Sequence, residues 1–82
     1  MKAITTKFHG PTNTRGSRIS ATDEDGNRVT VSVDHALNTD SRYDAAAIAL
    51  CQKMGWSGPL MRGGLKHGNV YTFEHDYNRV TF

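Results

Sequence analysis

The sequence predicts a small α+β domain, in β-β-β-α-β-β order, in which one helix packs on an antiparallel sheet. Three observations lead to this prediction. Apolar residues recur at helical spacing only over residues 40–56, most other segments alternate apolar and polar residues, and the chain has only 82 residues. Helical spacing gathers apolar side chains into one stripe, whereas alternation gives a strand one apolar face. Covering that stripe therefore requires a sheet of half-buried strands.

The predicted helix occupies the stretch from Asp40 to Trp56. Asp40 or Ser41 is predicted as its N-cap, with Asp44 placed nearly as in a capping box. Gly55 is positioned for the left-handed residue that ends a helix, and Trp56 for folding back on the last turn. The apolar stripe consists of Tyr43, Ala47, Leu50 and Met54, with Ala46 and Cys51 on its flanks.

Five strands are predicted around this helix. The turn 23–27 closes the clearest hairpin, where Gly26 or Asn27 takes a positive φ. The last hairpin is predicted around residues 67–68, and residues 63–64, both glycine, predict a bulge or a close backbone approach. The strands are predicted at 3–9, 17–22, 28–33, 60–66 and 69–75, with a weaker alternation over 76–82.

Length and composition predict one domain that spans residues 1–82. Apolar residues make up 37% and charged residues 22%, which argues against disorder. The net charge of +2 is far from that of a strongly basic nucleic-acid binder. One cysteine excludes an internal disulfide, and no stretch approaches the roughly 20 apolar residues of a membrane span. We therefore expect a cytoplasmic protein that does not associate with a membrane.

Cys51 is the one candidate nucleophile. With His35 and either Asp34 or Asn38 it could form a thiol, base and orienting group. It also lies beside the apolar stripe, where a cysteine usually acts as a small buried hydrophobe. We favour the second interpretation and predict no catalytic residue.

Metal and phosphate sites are not predicted either. No two of the His and Cys residues are nearer than eight positions, whereas zinc sites in short chains use close ligand pairs. The acidic turn 23–27 lacks the spacing of a calcium loop. The loop 10–16 lacks the Gly-Lys-Ser/Thr ending of a P-loop and leads into a strand. We expect neither a metal nor another cofactor.

The loop 10–16 is nevertheless the best candidate for recognition, because it combines hydrogen-bonding side chains with flanking glycines. Its polar groups could instead satisfy the loop's own turns. The sheet face away from the helix is the second candidate surface, since it is open to water or to a partner. The predicted binding residues are Thr12, Asn13, Thr14, Arg15, Arg18 and Arg28.

Nucleic-acid binding depends on which side of the sheet the basic and aromatic residues occupy. Aromatic residues on the open face would form a platform for single strands. Tyr71 and Phe73 share one side of their strand, but core residues would do the same. The basic residues on strands and loops are Lys7, Arg15, Arg18, Arg28, Arg62, Lys66 and Arg79.

Several stretches resemble a family of small proteins from bacteriophages and prophages. They are residues 7–19 (KFHGPTNTRGSRI), residues 33–38 (VDHALN), the alanine-rich helix, Gly55-Trp56 and Gly63-Gly64-Leu65. The resemblance covers most of the chain and carries over no catalytic or ligand residue. It implies a phage context, in which proteins of this size commonly bind a host protein or a nucleic acid and include inhibitors of CRISPR systems.

The leading hypothesis is therefore a non-enzymatic phage-type binding protein that blocks a host defence complex, such as a CRISPR effector. Its partner would be a host protein or ribonucleoprotein, bound through the loop 10–16 and the open sheet face. The alternative is direct nucleic-acid binding by a basic sheet face. A cysteine or metal enzyme is the third interpretation. An uncovered edge strand or apolar sheet face would favour a homodimer.

Overall fold

A computed structural model describes residues 3–14, 16–74 and 81. It confirms the predicted α+β class, with a single helix on a five-stranded antiparallel sheet among these residues. The sheet order is β3-β2-β1-β5-β4, so β3 and β4 form its two edges. The predicted alternation at 76–82 lies almost wholly outside the described residues. The elements are β1 Ala3–His9, β2 Arg18–Thr22, β3 Arg28–Ser32, α1 Thr39–Met54, β4 Leu60–Leu65 and β5 Gly68–Phe73.

The N-terminus of α1 differs from the prediction. Asn38 is the N-cap, and its side-chain oxygen accepts the backbone N–H of Ser41 at 2.8 Å. The predicted caps at Asp40 and Ser41 were wrong, and so was the capping box. Asparagine caps a helix as well as serine or aspartate does. The Asp44 carboxylate accepts hydrogen bonds from two strand residues instead of forming a capping box.

The C-terminus of α1 confirms the prediction. Gly55 has φ +74°, and its N–H donates to the carbonyls of Cys51 and Gln52. The N–H of Trp56 also donates to the carbonyl of Cys51 at 2.9 Å. The bonds from Gly55 to Gln52 and from Trp56 to Cys51 form a Schellman-type cap. The Trp56 ring packs edge to face against Phe73, with 6.1 Å between the ring centroids.

The two hairpins differ in how closely they follow the sequence pattern. Between β2 and β3, Gly26 takes the expected positive φ of +88°. Between β4 and β5, the turn lies at residues 66–67, and Gly68 belongs to β5, one residue earlier than predicted. The register of β4 runs without a break across Gly63 and Gly64, so the predicted bulge is absent there.

Gly68 makes the close backbone approach that the sequence suggested for other glycines. A Cβ atom at Gly68 would lie only 2.0 Å from the carbonyl oxygen of Thr6. Beside this contact, the Thr6 hydroxyl accepts the N–H of Asn69 and donates to its carbonyl, both at 2.9 Å. A side chain thus takes part in joining β1 to β5, and glycine is required where the backbones meet.

The core lies between α1 and one face of the sheet. Strand alternation and register put Tyr71 and Phe73 on this inner face, so both aromatics pack in the core and leave the other face free of them. Phe8 is also on the inner side but is 44% exposed. The buried apolar residues are Ile4, Ile19, Ala21, Ala46, Ala47, Leu50, Cys51, Tyr71 and Phe73.

Candidate functional site

The sheet face opposite α1, which we call the open face, has an unbalanced charge. Its strand positions include three Lys or Arg residues and one histidine, but no carboxylate and no aromatic residue. The positions follow from strand register and alternation. They are Ala3, Thr5, Lys7, His9, Arg18, Ser20, Thr22, Arg28, Thr30, Ser32, Met61, Gly63, Leu65, Gly68, Val70 and Thr72.

Four of these residues, Lys7, His9, Arg18 and Arg28, form what we call the cationic cluster. His9 pairs with Arg18 across the β1–β2 ladder, and an Arg28 Nη lies 3.4 Å from His9 Nε2. Because a guanidinium can only donate, His9 Nε2 acts as an acceptor there. Ser20, whose Oγ is 2.8 Å from the same nitrogen, then donates its hydroxyl proton. A neutral imidazole with its proton on Nδ1 is compatible with both contacts.

The lowered pKa of His9 also favours a neutral ring. Burial, followed by the positive charges of Arg28, Arg18 and Lys7, lowers the pKa of His9 below its ordinary value of 6.5. Three cations with no carboxylate between them raise the local potential, which disfavours a fourth positive charge. The same potential favours an anion brought from outside.

A groove of about 490 Å³ lies at the Arg18 end of this cluster. Arg18 is half-buried, and its Nε atom is buried without a hydrogen-bond partner among the described residues. None of the described residues that line the groove is a carboxylate. The lining residues are Gly16, Ser17, Arg18, Thr30, Val31, Ser32, Val33 and His35.

The other half of the open face, on β4 and β5, is apolar. Met61 and Leu65 are 45% and 49% exposed, and Val70 lies on the same side of the sheet. This half offers an uncharged surface next to the cationic cluster. The open face therefore presents two chemically different halves to a partner.

The structure groups some of the predicted binding residues and leaves others apart. Arg18 and Arg28 both belong to the cationic cluster, whereas residues 12–14 are exposed on the loop that leads from β1 to β2. Arg15 lies outside the described residues. Lys7 was among the basic residues considered for the open face but not among the predicted binding residues, and His9 was not considered for a site on this face, although its alternation with Ile4 and Thr6 already placed it there.

A second polar group lies on the helix side of the sheet, and we call it the Asp44 network. Tyr71 donates its phenol proton to Asp44 Oδ1 at 2.5 Å, and an Arg62 Nη donates to Asp44 Oδ2 at 2.8 Å. Asn69 donates to Asp40 at 3.3 Å and to the Tyr71 oxygen at 3.4 Å. Burial, and then the bond to Asp44, raise the pKa of Tyr71. Each charge here has a partner within the chain.

The structure offers little to the enzyme interpretation. Cys51 is buried, and burial raises the pKa of its thiol, which lowers the fraction of reactive thiolate. Among the residues that the structure describes, no three His, Cys, Asp or Glu side chains are grouped so that they could hold a metal ion.

Within the same described ranges, none of the helical segments combines the length and the apolar character needed to cross a bilayer.

Comparison with known proteins gives no relative: no protein-family model, no curated sequence and no solved structure matches this chain. The function is therefore argued from the open face itself.

Proposed function

We propose that this protein is a non-enzymatic binding protein whose open face holds the phosphate backbone of a nucleic acid. The observation that supports this most is the cationic cluster, in which Lys7, Arg18 and Arg28 surround a neutral His9, and no carboxylate occupies a described strand position of that face. Lys and Arg side chains gain affinity for nucleic acid by neutralising phosphates and releasing counterions.

The position of the aromatic residues indicates the kind of nucleic acid. Tyr71 and Phe73 are buried in the core, so the described strand positions of the open face present no Phe, Tyr or Trp ring on which an unpaired base could stack, and the His9 ring is already in contact with Ser20 and Arg28. Contacts to the backbone alone do not require splayed bases. We therefore expect binding to a duplex at least as tight as binding to a single strand, with little dependence on base sequence.

The test is the salt dependence of duplex binding, measured by fluorescence anisotropy from about 50 mM to about 200 mM salt. Each phosphate contact adds about 0.9 to the slope of log affinity against log salt. Lys7→Gln combined with Arg28→Gln should lower affinity roughly tenfold and flatten this slope, because two exposed ion pairs are lost.

The matched control compares the two single variants Arg62→Gln and Lys7→Gln. Arg62→Gln removes the same charge from the helix side of the sheet, where Arg62 is already paired with Asp44. We expect Arg62→Gln to bind the duplex like the wild type. If Arg62→Gln and Lys7→Gln weaken binding equally, net charge alone explains the affinity and the cationic cluster is not the site.

The apolar half of the open face supports a second candidate, inhibition of a host defence complex such as a CRISPR effector. Met61 and Leu65 suit a protein surface better than a phosphate backbone. A ribonucleoprotein would offer both chemistries to one face. In this case the protein acts as a phage-type inhibitor, and the exposed loop residues Asn13 and Thr14 extend the contact.

The second candidate is tested by capture from host lysate with and without nuclease, using the tagged protein. A retained complex that survives nuclease and is lost in Met61→Gln combined with Leu65→Gln supports a protein target. A complex that disappears with nuclease and is lost in Lys7→Gln instead supports binding to nucleic acid alone.

A further inference from the structure

We propose that the groove at the Arg18 end of the open face is a discrete oxyanion site that takes one phosphate group. The inference deepens the proposed function and rests on it in one respect, since it takes nucleic acid as the source of the phosphate. That phosphate is either a group within the backbone or a terminal monoester, and both present the same oxygens to the site.

The Arg18 side chain supports an oxyanion site. A guanidinium is a fork of five N–H donors whose geometry matches a phosphate. The Arg18 Nε is withdrawn from solvent, yet no described side chain or backbone oxygen accepts its proton. A buried donor without a partner costs free energy, which the guanidinium would recover by turning this N–H toward a phosphate oxygen in the groove, where it forms a charge-assisted hydrogen bond.

The outer edge of β3 forms one wall of the groove. The N–H of Val33 donates to the carbonyl of Ser17 at 3.2 Å, which fixes the hydrogen-bonding phase of this ladder. The backbone N–H groups of Thr30 and Ser32 consequently point away from β2, toward the edge. They add backbone donors to the hydroxyl groups of the same two residues.

The charge of the groove lining also favours an oxyanion. His35 and Arg18 are the only ionisable residues that line the groove among the described part of the chain. A metal cation would find no carboxylate there, and an apolar ligand would leave the Arg18 donor unpaired. At about 490 Å³ the groove admits a phosphate with its attached sugar. These features together select an oxyanion.

The first experiment titrates the ¹⁵N-labelled protein with inorganic phosphate and follows the arginine Nε–H resonances by NMR. Chloride at matched ionic strength is the control for screening. We expect a saturable shift of the Arg18 resonance with phosphate only. A linear shift, or an equal shift of Arg62 and Arg18, would overturn the inference.

The variant Arg18→Lys separates the fork of donors from the charge. Lysine keeps the positive charge but has no Nε–H in that position, so phosphate affinity should fall roughly tenfold. Arg62→Lys is the matched control and should leave phosphate binding unchanged. The amide spectrum of each variant must retain the wild-type dispersion, and unchanged phosphate affinity in a folded Arg18→Lys would also contradict the site.

A second arm identifies the source of the phosphate with two duplexes that differ only in a 5′-phosphate. Dependence of the Arg18 shift on the 5′-phosphate assigns a terminal monoester, and its independence assigns the backbone. If Lys7→Gln weakens duplex binding but the duplex does not shift the Arg18 resonance, the groove is not the phosphate site and the proposed function still holds. If inorganic phosphate shifts the Arg18 resonance to saturation and neither duplex binds, the oxyanion site is supported, but nucleic acid is not the source of its phosphate.

Discussion

The cationic cluster and the Asp44 network lie on opposite sides of one sheet and treat their charges differently. In the Asp44 network, Arg62 faces two carboxylates and the Tyr71 phenol has both a donor and an acceptor. In the cationic cluster, three cations surround one neutral histidine. Hydrogen-bonded pairs within the chain contribute modestly to the stability of the fold, whereas repulsion between neighbouring like charges destabilises it slightly and leaves them available to an anionic partner.

The largest effect on stability is expected for Asp44→Asn. This change removes charge-assisted hydrogen bonds from the buried Tyr71 and from Arg62, so the free energy of unfolding should fall by about 2 kcal/mol. Urea denaturation followed by circular dichroism measures it. Asp40→Asn, whose contacts are longer, should cost less, and duplex affinity should not fall in either variant. Equal stability of Asp44→Asn and the wild type would show that the network contributes nothing to folding.

Tyr71→Phe should have about half that effect. The phenylalanine ring fills the same space in the core, but the bonds to Asp44 and Asn69 disappear. The expected loss is about 1 kcal/mol, because Asp44 keeps its ion pair with Arg62. Thermal unfolding by calorimetry measures the change. A double-mutant cycle with Asp44→Asn should give a coupling energy clearly different from zero, and additive losses would argue against a direct bond.

Charge removal on the open face should act in the opposite sense. Lys7→Gln should leave the free energy of unfolding within about 0.5 kcal/mol of the wild type, or raise it slightly, because repulsion within the cationic cluster is relieved. The same variant should weaken duplex binding. Chemical denaturation and anisotropy on one sample compare the two readouts directly. A clear loss of stability in Lys7→Gln would mean that the cluster serves the fold.

The smallest effect concerns pH and His9. Its folded-state pKa lies below the ordinary value of 6.5, so the unfolded chain binds the proton more readily. The stability that neutral His9 contributes is therefore complete above about pH 6.5 and declines as pH falls through the folded pKa. As pH falls over this range, the wild type should lose stability relative to His9→Gln. A constant difference between about pH 7.5 and about pH 5 would contradict the lowered pKa.

Local residue chemistry was enough to predict the elements. The 3.6-residue period set the helix, Gly55 set its end, and the alternation of Val29 and Val31 with polar neighbours set β3, because each of these depends on a few adjacent residues. The same alternation placed Arg18 and Arg28 on one face. The predicted β1 and the observed Ala3–His9 coincide.

Other features were decided only when distant segments met. Asp44 does not form the predicted capping box, because its carboxylate accepts hydrogen bonds from Tyr71 and Arg62 across the core. Asn38 caps the helix instead. The position of Gly68 follows from its contact with the Thr6 backbone.

The sequence by itself therefore determined the class of fold, the helix and which residues alternate along each strand, since these follow from local periodicity and backbone preference. Tertiary structure decided which face is covered. Once α1 covered the face that carries Tyr71 and Phe73, the described strand positions of the opposite face kept Lys7, Arg18 and Arg28 but no carboxylate and no Phe, Tyr or Trp ring. Charge neutrality of a surface depends on which strands become neighbours, and only the order β3-β2-β1-β5-β4 specifies that.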